Sequence, residues 1–437
     1  MSTTLPARPT SATSPASEVL RQQQRGASTR GLGWRGLVKT AGPAFVASVA
    51  YVDPGNVATN VTAGANHGYL LCWVVVVSSA MAMLVQHLSA KLGLATGATL
   101  PQHCNTRYRK PVARLLWLQA EAVSLATELA EVLGGALALH LLLGMPLAWG
   151  ALATGVGSMI VLAIQSRHRQ RRFEAVVTVM LAVCGTGFVV NAVRAGPSPA
   201  EVLGGIVPRL QGTDSLLLAA GILGATVMPH AIYLHSALVC DRFGIDGPAA
   251  SLSELRQRAR WIHASSRQIV VALGLAATVN LSLVLVAAAA LRGREADTIE
   301  GAYAAIGQVL GPVAAGMFAL ALLASGLASS TVGAYAGSVV LQGFCNVRIP
   351  TVVRRMLTLA PALAIVAAGV EPTRALILSQ VVLTFGLPFA LWPLIRLTSD
   401  RAVMGVFTNA RATTAVAATC TAAVSALGLV LLTLTFT

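Results

Sequence analysis

The stretch Ala50–Asn56 reads AYVDPGN and interrupts an apolar segment that the sequence predicts over residues 40–66. Asp53 precedes a proline, which pushes its backbone out of the helical region. Pro54 cannot donate to the carbonyl four residues back, and Gly55 adds flexibility. We therefore predict a helix broken in the middle of the membrane, where unpaired backbone persists only beside a cavity and a buried carboxylate indicates a functional site. The alternative is a simple proline kink with an incidental aspartate.

A second break is predicted in the stretch Gly224–His230, which reads GATVMPH. Pro229 leaves the carbonyl of Ala225 without its helical donor, so that this oxygen is available to a ligand. Met228 can offer a thioether from the same region, although a methionine in a membrane helix is more often ordinary packing. The two breaks therefore have to be interpreted together.

The two breaks fall in the first and sixth of eleven apolar segments that are long enough to cross a bilayer. Corresponding interruptions in two halves of a chain indicate a transporter built from inverted repeats, with its site at the membrane midplane. We therefore predict an all-α integral membrane protein. The segments lie near residues 40–66, 69–90, 112–142, 147–165, 173–193, 214–240, 268–291, 302–326, 352–370, 373–396 and 412–436.

The groups at the two breaks suit a metal ion that is carried as substrate. Asp53, Asn56 and the Ala225 carbonyl offer oxygen atoms, which hard divalent cations prefer. The softer thioether of Met228 shifts that preference toward Mn²⁺, Fe²⁺ and Cd²⁺ and away from Mg²⁺ and Ca²⁺. No motif resembles a nucleophile positioned beside a base, so we expect neither an enzyme nor a bound cofactor.

Composition supports the membrane assignment and sets an orientation. Of the 437 residues 55% are hydrophobic and 11% are charged, with a mean hydropathy of +0.71, whereas soluble domains carry about 25% charged residues. With a cytoplasmic N-terminus, 26 of the 31 Lys and Arg residues fall in cytoplasmic segments, which indicates a topology signal for a plasma membrane and not a nucleic-acid partner. The C-terminus is then extracellular, and the other five are Arg194, Arg209, Arg292, Arg294 and Arg374.

Two further features bound the class of protein. Residues 1–33 are rich in Ser, Thr, Pro, Gln and Arg and predict a disordered cytoplasmic tail. The six cysteines show no paired spacing, which indicates neither a disulfide framework nor a zinc cluster. The abundance of Ala, Val and Leu, and of Arg over Lys, is typical of a prokaryotic inner-membrane protein. The oligomeric state is left open, with a monomer among the choices.

Asp53–Asn56 (DPGN) and Met228–His230 (MPH) together resemble the paired motif of the Nramp family, the proton-coupled divalent metal transporters. The likeness continues along nearly the whole chain and in the same order. The runs that carry it are Met81–Gly97 (MAMLVQHLSAKLGLATG), Ala126–Gly134 (ATELAEVLG), Ser329–Gly337 (SSTVGAYAG) and Ser379–Phe389 (SQVVLTFGLPF).

This resemblance implies a LeuT-like fold, in which helices 1–5 and helices 6–10 form inverted repeats over residues 34–213 and 214–400. It implies one more helix within residues 401–437. It also implies that Gln380 joins the metal ligands already named when the site is occluded, although a buried glutamine is as often an interhelical hydrogen-bonding residue.

A row of acids suggests a proton route. Glu121, Glu128 and Glu131 fall within about 80° of one helical face, which is costly in a membrane unless they meet water or cations. Arg354 and Arg355, at the start of the ninth segment, are candidate partners, and the family resemblance supports that pairing. The alternative is a permanently paired network of salt bridges.

We expect Asp53 to accept the proton first, and Glu131 and Glu128 to pass it inward. His230, beside the metal site, belongs to the same hypothesis because histidine titrates near neutral pH. His235 lies about 140° further round its helix and is expected to face elsewhere. His87 and His140 are interpreted as packing residues.

Three departures from the family pattern put the strength of proton coupling in question. Glu128 stands where the family usually has Asp, Ala231 stands where it commonly has Asn, and Leu327-Ala328 replaces a polar residue before the Ser-Ser-Thr run. None of these positions is a primary ligand.

Four other functions fit the sequence less well. A Na⁺-coupled amino-acid symporter can share the fold, but its site favours Gly-rich backbone contacts over an Asp paired with a Met. A magnesium carrier from a related branch conflicts with the thioether. A membrane sensor needs an output domain, and an intramembrane hydrolase needs a catalytic constellation such as a second zinc-binding histidine.

Overall fold

The structure, a computed structural model, describes residues 42–163, 170–294 and 298–436. Every regular element in those ranges is helical. The predicted tail at residues 1–33 lies outside them. The helices are α1 (Gly42–Val49), α2 (Pro54–His67), α3 (Cys72–Thr96), α4 (Leu100–Arg107), α5 (Lys110–Leu143), α6 (Leu147–Ala163), α7 (Gln170–Ala195), α8 (Pro199–Gly205), α9 (Gly212–Thr226), α10 (Pro229–Phe243), α11 (Leu252–Val286), α12 (Ile299–Leu310), α13 (Pro312–Cys345), α14 (Thr351–Ala367), α15 (Pro372–Ser399), α16 (Arg401–Met404) and α17 (Arg411–Phe436).

Both predicted helix breaks are present. The first apolar segment consists of α1, a 3-10 turn over Ala50–Val52, and then α2 after Asp53. The sixth consists of α9 and α10, separated by Val227 and Met228. In each case a proline occupies the first position of the second half, where its missing N–H costs no helical hydrogen bond.

The eighth predicted segment, 302–326, is wrong in its placement. The structure has two helices there, because α12 ends at Leu310 and α13 starts at Pro312. Gly311 between them has a φ of +92°, which an ordinary side chain disfavours, and the following proline cannot continue α12. The turn was not predicted because the sequence is hydrophobic on both sides of it. The long helix α13 then extends to Cys345.

Apart from the two broken helices, the other predicted segments each correspond to one helix, with shifts at their ends. The largest shift is in the seventh, predicted from residue 268, because α11 already starts at Leu252. The hydroxyl of Ser251 caps this polar first part by accepting from the backbone N–H of Glu254 at 3.2 Å. Within the described residues, eight helical stretches are long and apolar enough to cross a membrane, and two shorter apolar ones are Gly42–Val52 and Leu147–Ala163.

The interior is organised around α5 and α13. These helices pack against each other, and α5 also contacts α15, α6 and α14. The two broken helices lie beside them: α2 contacts α11, α9 and α15, while α10 contacts α3 and α13. Both breaks are therefore enclosed by long helices, which places their backbone and side chains away from the surface.

Candidate metal site at the two helix breaks

The first break is held open by its own aspartate. Asp53 has extended backbone angles, φ −84° and ψ 169°, and is the N-cap of α2. Its Oδ1 accepts from the backbone N–H of Asn56 at 2.7 Å and from Asn56 Nδ2 at 2.9 Å. The side chain thus replaces the helical bonds that Pro54 prevents, and Oδ1 is committed to the start of α2.

The second break has no side-chain cap. Val227 and Met228 leave the helical region, with ψ angles of 78° and 121°. The Ala225 carbonyl, which Pro229 deprives of a helical donor, accepts from Asn56 Nδ2 at 2.9 Å. The side-chain amide of Asn56 therefore joins the two breaks. Asn56 and Ala225 lie close together, as expected if both belong to one metal site.

Gln380 reaches the same centre from α15. A Cβ atom built on Gly55 would overlap Gln380 Nε2, so this side chain rests directly on the first break. The backbone carbonyl of Gln380 lies against Gly224, where it would also overlap an ideal Cβ. The missing side chains at Gly55 and Gly224 thus allow α15 to approach both breaks.

Hydrogen bonds and close contacts bring four of the five predicted metal-site residues together, Met228 follows Ala225 by three residues, and all five are fully shielded from solvent. Asp53, Asn56, Ala225, Met228 and Gln380 each have 0% exposure. Among the described residues, three of their buried oxygen atoms have no hydrogen-bond partner, namely Asp53 Oδ2, Asn56 Oδ1 and Gln380 Oε1. Buried acceptors without partners are rare, because each one costs the energy of its lost hydration. One carboxylate, two amide oxygens and a thioether form a donor set that fits a divalent transition-metal ion.

Two of the three glutamates on α5 are in salt bridges. Glu121 accepts from Arg354 through both oxygens, at 3.2 Å and 2.9 Å. Glu128 accepts from Arg355 Nη1 at 3.0 Å, and both of these side chains are almost completely buried. The predicted pairing of the glutamates with Arg354 and Arg355 is therefore present for these two.

Glu131 differs from its neighbours. It is fully buried, and neither carboxylate oxygen has a hydrogen-bond partner within the described part of the chain. Its carboxylate packs against Gly333 of α13, where an added Cβ would lie 2.6 Å from Oε2. Arg355 is directed elsewhere, since its other nitrogen donates to the hydroxyls of Ser158 and Ser330. The permanently paired alternative thus describes Glu121 and Glu128 but not Glu131.

His230 connects the second break to the glutamate row. Its Nδ1 lies 3.3 Å from the hydroxyl of Thr127, the residue before Glu128, while its Nε2 has no partner among the described residues. This position agrees with the predicted neighbourhood of the metal site. His87 is half-buried and hydrogen-bonded to Ser266 Oγ at 2.8 Å, which agrees with its interpretation as a packing residue. His140 lies 3.0 Å from the Met145 carbonyl but is exposed, so the interpretation of it as a packing residue is wrong.

A second buried polar cluster was missed at the level of sequence. Gln86 Nε2 donates to the Tyr51 hydroxyl at 2.5 Å, and Gln86 Oε1 lies 2.6 Å from His235 Nδ1. Asn280 donates to the Tyr51 carbonyl at 2.7 Å and accepts from Asn60 at 3.1 Å. These amides tie α2, α3, α10 and α11 to the first break. The available signal was the presence of Gln86, Asn60 and Asn280 inside apolar helices, where polar side chains serve as interhelical contacts.

These features are those of a multi-pass membrane transporter in which two broken helices meet at one buried centre. A family model described as Nramp, natural resistance-associated macrophage protein-like, matches residues 44–434. The chain belongs to the Nramp family, as the motif resemblance indicated, and its predicted all-α fold class is confirmed.

Individual relatives agree with this assignment. The chain is 52% identical over 397 residues to the divalent metal cation transporter MntH of Mycobacterium tuberculosis, covering 91% of each protein. It is similar to the solved structure of the Eremococcus coleocola manganese transporter, with a TM-score of 0.82 at 28% identity, covering 92% of this chain and 87% of the other. Mhp1, a nucleobase-cation-symport-1 family transporter, shares the fold, with a TM-score of 0.56 at 16% identity and 89% of each chain covered.

Proposed function

We propose that this protein imports divalent transition-metal ions, with Mn²⁺ and Fe²⁺ as the preferred substrates and Cd²⁺ as a related one. The observation that carries the proposal is the group of three buried oxygens, on Asp53, Asn56 and Gln380, that have no hydrogen-bond partner in the described part of the chain, together with the buried thioether of Met228 at the second break. The Ala225 carbonyl becomes available as a further ligand when Asn56 releases it. The names of the MntH and manganese-transporter relatives support the same substrate class.

Import by alternating access agrees with the energetics. A membrane potential is worth about 2.3 kcal/mol per charge per 100 mV, so a dication gains about twice that on entering a negative compartment. Two broken helices that meet at one buried centre allow each half-helix to move without dismantling the long helices around it. The proposed transport unit is the monomer, since one chain supplies every ligand.

The proposed orientation places the N-terminus in the cytoplasm and the C-terminus outside, in a prokaryotic plasma membrane. The two inverted repeats are proposed over residues 34–213 and 214–400, with 401–437 as the added helix. The support comes from the asymmetry of positive charge, because 26 of 31 Lys and Arg residues lie on the proposed cytoplasmic side.

The decisive test of metal transport is Mn²⁺ uptake into proteoliposomes at a fixed negative voltage, with and without excess Ca²⁺ or Mg²⁺. Wild type is expected to take up Mn²⁺ against a large excess of the hard ions. Met228→Ala is expected to keep uptake but to lose about tenfold or more of its discrimination, because the thioether is a poor ligand for Ca²⁺ and Mg²⁺. Wild type that moves no divalent metal under any gradient would overturn the proposal in favour of the amino-acid symporter.

We further propose that protons accompany the metal and leave Asp53 by way of Glu131. Glu131 is the one acid of the row whose carboxylate has no hydrogen-bond or salt-bridge partner among the described residues, whereas Glu128 is bonded directly to Arg355. A carboxylate outside a salt bridge accepts a proton more readily than one in a buried salt bridge, because protonation of the second carboxylate breaks the salt bridge. His230 and Thr127 lie between the metal site and this row. Glu128, Glu121 and the two arginines then serve as the exit of the route.

Glu131→Gln separates proton movement from metal movement. Voltage-driven Mn²⁺ uptake is expected to continue, while acidification of the vesicle lumen falls to the background level. Glu201→Gln makes the same chemical change at an exposed acid of α8 and serves as the matched control. Undiminished acidification in Glu131→Gln would show that the proton takes another path, and it would leave the metal-transport proposal intact.

A further inference from the structure

The face of α5 that carries the three glutamates also carries Ser124. This serine lies three residues after Glu121 and four residues before Glu128, and at about 100° per residue it falls within about 60° of both. Residues three and four apart on a helix have Cβ atoms about 5–6 Å apart. Side chains also lean toward the N-terminus of their helix. Glu128 therefore leans toward Ser124, and Ser124 leans toward Glu121, which is the order of the proposed inward route.

The hydroxyl of Ser124 differs from that of an ordinary buried helical serine. Such a hydroxyl commonly donates to a carbonyl of the preceding turn, as Ser282 on α11 does to the Thr278 carbonyl at 2.7 Å. Ser124 is 2% exposed, yet its Oγ has no hydrogen-bond partner within the described ranges. A buried hydroxyl without a partner costs free energy. Its proton and its two acceptor lone pairs therefore remain available to another group.

The two salt bridges on either side of Ser124 also have unused polar atoms. Glu128 accepts from Arg355 through Oε2, whereas its Oε1 has no partner among the residues that the structure describes. The Nε atoms of Arg354 and Arg355 are likewise buried and unpartnered in the described part of the chain. Each arginine is compensated by one carboxylate, so a proton between the two salt bridges does not meet an uncompensated cation. Unused buried donors and acceptors of this kind are suited to a bridging water molecule.

Solvent reaches the first of these salt bridges and not the second. The side chain of Glu121 is 19% exposed, whereas that of Glu128 is 1% exposed. Their Cα atoms are about 10 Å apart along the helix axis, but proton transfer needs hydrogen-bond contact or one intervening water. Between them α5 has one other polar side chain, Thr127, whose hydroxyl already donates to the Val123 carbonyl at 3.0 Å. A proton that moves along this face therefore needs an intermediate group, and Ser124 is placed to be that group.

We propose that the Ser124 hydroxyl relays protons from Glu128 to Glu121. This inference rests on the proposed proton route and adds a residue to it. Ser124 Oγ accepts the proton that leaves Glu128 Oε1, while the hydroxyl's own proton passes to Glu121 directly or through one water molecule. The hydroxyl is thus regenerated and carries no charge at the end of the step. The salt bridges with Arg354 and Arg355 hold the two carboxylates on either side of it.

Mn²⁺ uptake and lumen acidification, measured together in proteoliposomes at a fixed negative voltage, test the proposal. Ser124→Ala is expected to take up Mn²⁺ as wild type does and to slow acidification by about tenfold. A positioned acid–base group contributes about a hundredfold or more, but water can enter part of the space that the hydroxyl leaves. Ser124→Thr keeps a donor and an acceptor at this place and is expected to acidify within about threefold of wild type. Ser282→Ala removes a buried helical hydroxyl from α11 and is the matched control, with both rates expected to stay unchanged.

The ratio of protons to Mn²⁺ separates a relay from a structural role. A structural role lowers both rates alike, so a wild-type ratio in Ser124→Ala overturns the relay. Where Ser124→Ala does not fold, Ser124→Cys takes its place, because a thiol hydrogen-bonds more weakly than a hydroxyl. A lowered ratio in that variant supports the relay, and a wild-type ratio contradicts it.

The same measurements distinguish failure of the relay from failure of the proton route. Wild type that takes up Mn²⁺ without acidification overturns the route itself and the relay with it. If Glu131→Gln abolishes acidification while Ser124→Ala acidifies as fast as wild type, the route stands and only the relay is wrong.

Discussion

The two helix breaks reach the same centre by different chemistry. At the first, Asp53 caps its own helix with one carboxylate oxygen and keeps the other free. At the second, Met228 has no capping role, and the freed Ala225 carbonyl depends on Asn56 from the opposite break. One break is thus stabilised from within and the other from across the site. A substitution of Asp53 therefore changes both the charge of the site and the stability of α2. A substitution of Met228 changes a proposed ligand without removing a helix cap.

The largest expected effect comes from removing the charge at the first break while keeping its cap. Asparagine caps a helix about as well as aspartate, so Asp53→Asn is expected to fold normally. Without the carboxylate the site cannot compensate a dication, and Mn²⁺ uptake is expected to fall by at least about 100-fold, beyond the loss typical of supporting residues. Uptake and thermal stability measured together check this. Mn²⁺ uptake at the wild-type rate would contradict the role of Asp53 as the charged ligand.

A medium effect is expected where α15 closes on the breaks. A Cβ at Gly224 would meet backbone of α15, because it would overlap the Gln380 carbonyl, whereas a Cβ at Gly55 would meet only the Gln380 side chain. Gly224→Ala is therefore expected to destabilise the protein by about 1–3 kcal/mol.

Gly55→Ala is the matched comparison. It is expected to cost less stability than Gly224→Ala, because a side chain moves more easily than backbone, and to weaken Mn²⁺ binding by displacing Gln380. Thermal unfolding and Mn²⁺ titration of both variants distinguish the two. A larger stability loss in Gly55→Ala than in Gly224→Ala would show that the packing at the first break is the more rigid one.

The smallest effect is expected just beyond the second break. Thr127→Val removes the 3.3 Å partner of His230 Nδ1 while keeping the shape of the side chain. The hydroxyl also donates to the Val123 carbonyl at 3.0 Å, so two hydrogen bonds are lost. The expected loss is about 1–2 kcal/mol of stability, with Mn²⁺ uptake within about twofold of wild type. Thermal unfolding and uptake assays check both numbers. A tenfold loss of uptake would show that the orientation of His230 matters to the metal as much as the ligands do.

Features that depend on local backbone chemistry could mostly be predicted from the sequence. The broken helices result from Pro54 and Pro229, because a missing N–H acts at a fixed distance along the chain. Four of the five proposed metal ligands, Asp53, Asn56, Ala225 and Met228, come from the same stretches. The joint at Gly311 was missed because hydrophobicity continues across it, and only the pair Gly311-Pro312 marks the turn.

Long-range pairing was harder to predict. The three glutamates looked equivalent on one helical face, yet Arg355 selects Glu128 and leaves Glu131 free. Which glutamate is bonded directly to Arg355 depends on where α14 lies relative to α5, and no residue spacing within α5 gives that distance. The Gln86 cluster escaped for the same reason, since its partners come from separate helices.

The bridge made by the Asn56 amide has a thermodynamic consequence. Asn56 Nδ2 is bonded to Asp53 on one side and to the Ala225 carbonyl on the other. A movement of either half-helix away from the centre breaks this bridge and separates the ligands in the same step. In the proposed metal site, affinity and conformation are therefore expected to be linked reciprocally: a conformation that opens the centre holds the ion less tightly, and the bound ion opposes opening by the same free energy. The bound ion must lose ligands before it can leave. The rate of its release is therefore expected to depend on the conformational step and not on the affinity of the complete ligand set.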